Sequence, residues 1–131
     1  MIKKIVASLM AVGILVSITA CSSIETGSAL NGVKLSPNEN EKPIAHLYGK
    51  IWGVYFFGVL PMFSGSSSRP GNCAVFSDTV QVDNAVRMIT KKAGKDLNAA
   101  RLLDLQSSTS TFIFLFPFSV RCVEVSGNAV E

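Results

Sequence analysis

The chain has 131 residues, with twelve Lys and Arg against nine Asp and Glu and a single histidine. Two of those lysines, Lys3 and Lys4, open the chain, so the remainder is close to neutral. No basic face of the kind that binds nucleic acid is left. Apolar residues make up 48% of the chain.

Residues 1–20 read as an export leader. Lys3 and Lys4 form a positive start, Ile5 to Val16 is a run of apolar and small residues, and small residues precede Cys21. The run is shorter than the roughly 20 residues that a spanning helix needs. Ile18-Thr19-Ala20-Cys21 resembles the lipobox of bacterial lipoproteins cut by the type II signal peptidase. The resemblance implies a mature chain that begins at a lipidated Cys21, with a diacylglyceryl thioether and an N-acyl chain such as palmitate. Ser22 in place of aspartate implies the outer membrane, facing the periplasm, in a Gram-negative cell.

Ser, Gly, Asn and Pro dominate residues 22–43, so 21–43 is expected to be a lipidated flexible tether. Residues 44–131 are then one small domain. With Cys21 given to lipid, Cys73 and Cys122 remain as an even pair in an oxidising compartment. A bridge between them is expected, and two free thiols are the alternative.

Ile51 to Leu60 is apolar at odd and even positions alike, which predicts a strand covered on both faces, ended by Pro61 and a Ser/Gly loop. Membrane or partner contact by its aromatic residues is the alternative. Residues 73–82 predict a short strand. Val82, Val86, Ile89 and Ala93 recur at helical spacing, with Asp83 as N-cap, Asp78 as the alternative start, and Gly94 as stop. Arg101 to Gln106 predicts a strand, Ser107 to Thr111 a turn, and Phe112 to Cys122 a final strand bent at Pro117. Its even positions, Phe112, Phe114, Phe116, Phe118, Val120 and Cys122, would form one apolar face. The sum is an α+β fold: a small, mostly antiparallel sheet with one packed helix.

From Asp83 to Gly127, the order of helix, Ala93-Gly94, strand with Leu103-Asp104, and final Val123-Glu124-Val125-Ser126-Gly127 resembles small exported lipoproteins of the TRL-like kind. More distantly it resembles the YbjQ-type β-α-β-β fold. The resemblance implies a fold and lends no activity.

His46 has no acid beside it in sequence, and the chain has no nucleophile elbow, phosphate loop, HExxH or EF-hand loop. Two cysteines outside any CxxC spacing and one histidine do not make a zinc site. No catalysis, cofactor or metal is expected. The expected function is a membrane-anchored, non-enzymatic envelope module that binds an envelope protein. Its contact surface is expected among exposed parts of Trp52–Phe57 and Phe112–Phe118, with Trp52, Tyr55, Phe56, Phe114 and Phe116 as the named candidates, aromatic residues of the kind found at interface centres. A carrier of a small apolar ligand, or a redox sensor built on Cys73 and Cys122, are the alternatives.

Overall fold

The computed structural model describes residues 4, 21–27, 29–30, 33–34 and 43–131. The expected leader, apart from residue 4, and about half of the expected tether lie outside the described residues. The elements are β1 (Ser22–Gly27), β2 (Ala29–Leu30), β3 (Val33–Lys34), β4 (Pro43–Phe56), β5 (Leu60–Gly65), β6 (Cys73–Val75), α1 (Val82–Asp96), β7 (Arg101–Leu115) and β8 (Phe118–Val130). Six strands form one antiparallel sheet in the order β6-β5-β4-β8-β7, with β1 also on β4. β2 and β3 pair separately. The fold is the expected α+β arrangement, one helix against an antiparallel sheet.

β4 organises the sheet. Its odd positions Ala45, Leu47, Ile51 and Tyr55 are buried, and its even positions are half-buried throughout. The strand therefore has one covered face, not two. It begins eight residues before Ile51 and ends at Phe56. Phe57 and Gly58 both take positive φ, and the Val59 N–H donates to the Phe56 carbonyl. That is the two-residue turn whose twist suits a hairpin. On the covered face, Leu47, Ile51 and Tyr55 pack with Val123, Val125 and Ala129 of β8 and with Ala85, Met88, Ile89 and Ala93 of α1. Gly49 lets the helix approach: a Cβ there would lie 2.5 Å from Ile89 Cγ2.

The helix is rotated and longer than its sequence stripe suggests. Ala85 and Met88 are buried with Ile89 and Ala93, whereas Val82 is exposed. The N-cap is Gln81, not Asp83, with no side-chain cap bond, and Gly94 lies inside the helix, which ends at Asp96. Residues 76–81 form a strap rather than a strand. Tyr55 Oη donates to Asp78 Oδ1 at 2.6 Å, Ser64 Oγ donates to the Ser77 carbonyl, and Val80 is buried.

Two expectations about the C-terminal half are corrected. Ser107 to Thr111 lies in the middle of β7, not in a turn. The expected single strand through Pro117 is a hairpin, with a cis Phe116-Pro117 bond and Leu115 opposite Phe118. A proline without an N–H ends the ladder here, and the chain reverses.

The tether expectation is also corrected where residues are described. Ser22–Gly27 pair with β4, Ser22 opposite Ile51 and Gly27 opposite His46. Cys21 is buried, and its carbonyl accepts the Trp52 N–H at 3.0 Å. β1 thus starts where β5 stops, along the same edge of β4. Gly65 makes that junction possible, since a Cβ on it would lie 2.2 Å from the Cys21 carbonyl oxygen.

Candidate contact surface

The expected bridge is corrected. Cys73 is bonded to Cys21, with Cα atoms 5.5 Å apart, and Cys122 is a free, buried thiol. The reason is topological. Cys73 starts β6 and Cys122 lies in β8, three strand spacings away, roughly 14 Å and beyond the reach of a disulfide. A thioether and a disulfide need the same sulfur, so the bridged Cys21 seen here belongs to a chain without lipid on that atom.

The sheet face away from α1 carries the even positions of β4 and their partners on β8. Across these two strands, His46 pairs with Asn128, Lys50 with Glu124, Trp52 with Cys122, Val54 with Val120, and Phe56 with Phe118. The face therefore grades from polar at one end to aromatic at the other. At the polar end His46 Nδ1 lies 2.8 Å from Asn128 Oδ1, and Asn128 Nδ2 donates to Asp104 Oδ2 at 3.1 Å. Next along, Lys50 Nζ is 3.1 Å from Glu124 Oε1. The hydrogen bonds from Lys50 and then Tyr48 hold the Glu124 carboxyl below its ordinary range. The same Glu124 bond raises the Lys50 ammonium. Burial pushes the Cys122 thiol up, which keeps it protonated and a poor nucleophile at neutral pH. Cys122 is also six positions along β8 from Asn128, the partner of His46, or roughly 20 Å. Thiol and imidazole do not form a catalytic pair.

At the other end the β4–β5 and β7–β8 turns lie side by side. The Phe57 N–H donates to the Pro117 carbonyl at 2.8 Å. The Phe57 ring stands edge-on to Phe116, with centroids 5.7 Å apart, and to Phe56 at 4.6 Å. Phe118 joins Phe56 at 5.5 Å. The outward side chains are bare: Phe116 is 78% exposed, Val59 76%, Ile113 74%, Leu115 65% and Phe57 60%. No charged residue occurs from Ile51 to Ser68 or from Leu105 to Val120. Scattered exposed apolar residues are ordinary, but a contiguous patch of this kind marks a contact site.

The five expected contact residues divide. Phe116 is at the apex of this tip and Phe56 is half-buried beneath it. Trp52 is half-buried further down the open face. Tyr55 is not a contact residue: it is 1% exposed, points to the helix side and carries Arg121 over its ring at 4.6 Å. The side chain of Phe114 lies outside the described residues. Sequence reasoning missed Val59, and reached Phe57, Ile113 and Leu115 only as members of the segments Trp52–Phe57 and Phe112–Phe118. Their signal was the pair of turn formers, Gly58 and Pro117, each set directly behind a phenylalanine.

Among the described residues, open clefts also lie elsewhere. One of about 320 Å³ lies between Ser67 and Ser68 and the Lys91, Lys92 and Lys95 side of α1. Another, of about 160 Å³, is lined by Tyr48, Gln106, Ser108 and Glu124. Among the described residues no group of three His, Cys, Asp or Glu could hold a metal ion, and no helix is long and apolar enough to cross a membrane. Comparison with protein-family models, with curated proteins and with solved structures finds no match.

Proposed function

We propose that this chain is a non-enzymatic, lipid-anchored protein of the cell envelope that works by contact, with the paired turn apices as its working surface. The observation that carries the reading is the uncharged tip around Phe57 and Phe116. Burying a large apolar side chain contributes about 1.5–3 kcal/mol, and Phe57, Val59, Ile113, Leu115 and Phe116 are left outside at this tip. Such a surface is stabilising only when something else covers it.

The leader and Ile18-Thr19-Ala20-Cys21 support the anchor, and the position of Cys21 adds geometry. Cys21 is held beside Trp52, five residues before Phe57 on β4, so an acyl group there would enter the membrane roughly 17 Å from the tip. The domain would sit close to the bilayer instead of ranging on a long tether. Lipidation would consume the Cys21 sulfur and leave Cys73 as a thiol.

Two measurements test this reading. The intact mass of the protein from its native membranes should correspond to a chain that starts at Cys21 and carries acyl mass. An unacylated chain that gains two mass units on reduction would instead report the Cys21–Cys73 bridge and remove the anchor. In the same membranes, Phe57→Ser/Phe116→Ser should abolish crosslinking to an envelope component with unchanged thermal unfolding. Undiminished crosslinking would remove the tip.

A further inference from the structure

Strand β7 supplies a second and independent surface. It is 15 residues long, and among the described residues only β8 pairs with it. Its outer edge is therefore a row of backbone donors and acceptors, the template on which another strand pairs. Proteins usually blunt such edges with charge, proline or a bulge. β7 has Asp104 and a register shift at its start and a second shift between Ile113 and Leu115, with no charge and no proline from Leu105 to Leu115. Every described side chain in that run is exposed. The opposite edge of the sheet is blunted: β6 is three residues long and ended by Phe76 at positive φ.

We infer that β7 pairs antiparallel with β7 of a second copy of this chain, about a two-fold axis through Ser110. Backbone chemistry requires the occupant to be a strand. Symmetry points to a second copy, because an isologous interface needs one surface that is complementary to itself. Residues opposed in a sheet share a face, so the axis must pass through a residue rather than between two. Ser110 is the centre of the uncharged run from Leu105 to Leu115. This register sets Thr109 opposite Thr111 and Ser108 opposite Phe112, twice over. Threonine pairs and aromatic contacts favour cross-strand pairing, and no like charges meet. Asp104 falls outside the paired run.

The test is oxidative crosslinking of the full chain in native envelopes. In a Cys122→Ser background, which removes the thiol directly opposite residue 110 on β8, Ser110→Cys should give a covalent dimer, because the two copies of residue 110 face each other within disulfide reach. Ser107→Cys should not, since its two copies lie about 20 Å apart along the strands. In the Ser110→Cys background, Thr109→Lys/Thr111→Lys opposes like charges on both sides of the axis and should lower the dimer yield roughly tenfold relative to Thr109→Lys/Thr111→Asp. The second variant carries the same strand burden with attractive pairs, which separates lost pairing from lost folding. Equal crosslinking at residues 107 and 110, none at 110, or a yield indifferent to the charge pattern would overturn the inference.

Discussion

Replacing Gly49 by alanine tests how the helix is seated on the sheet. The new Cβ would lie 2.5 Å from Ile89 Cγ2 and 3.1 Å from Met88 Cε. Both side chains are fully buried, at 0% and 1% exposure, so neither can swing into solvent. The helix must shift or the side chains must leave their rotamers. Overpacking of this kind costs about 1–3 kcal/mol. For a domain of this size that lowers Tm by roughly 5 to 20 °C. Ile89→Ala alone should cost about 2–5 kcal/mol through the cavity it leaves. It also removes the atom that Gly49→Ala strikes, so the double variant should be more stable than the sum of the singles by about 0.5–3 kcal/mol. The assay is urea unfolding followed by Trp52 fluorescence across the four proteins. Additive costs, or a Gly49→Ala protein as stable as the parent, would refute this packing.

Cys73→Ser, in chain without lipid on Cys21, opens a loop with a sequence separation of 52 and should cost about 4 kcal/mol in equilibrium unfolding. Cys122 should resist thiol reagents in the native state and react at once in urea, since it is buried with its pKa raised; fast native labelling would contradict its place in the sheet. The depressed Glu124 carboxyl gives stability that is present at neutral pH and lost as pH falls from about 4.3 through its lowered folded value. Both partners are about 40% exposed, so screening limits the effect to about 0.2–1 kcal/mol. Glu124→Gln should flatten the acid limb of the stability–pH curve by that amount, and an unchanged limb would show that the Lys50 pairing does not stabilise the fold.

The fold class was legible because helix and strand periods differ, and Ile89 and Ala93 on one stripe could only be a helix face. Strand ends were less legible. Ile51 to Leu60 reads as one apolar run because both faces of β4 carry apolar residues near its end, one in the core and one half-buried. Only the turn at Phe57-Gly58 separates these roles. The alternation from Phe112 to Cys122 misleads for a related reason. Two strands joined by a short turn can keep one parity across the reversal, so Phe112 and Val120 share a face as partners and not as neighbours on one strand. The disulfide was not legible at all: three cysteines allow three pairings, and the choice depends on β1 leaving the expected tether to pair with β4. The working tip was half legible. Phe116 beside Pro117 marks an apex, whereas the neighbouring apex at Phe57 becomes its partner only through the β4–β8 pairing.

The measurement that reaches the central claim most directly is site-specific photo-crosslinking in native envelopes. One full-length chain carries the photoreactive residue at Phe116 and a control carries it at Val59, on the adjoining apex. Both are more than three-quarters exposed. A third places the probe at exposed Asn98, in the α1–β7 connection at the other end of the sheet. The account predicts adducts to the same envelope component from positions 116 and 59 and none from position 98. Adducts from position 98 alone, or none from either apex, would contradict it.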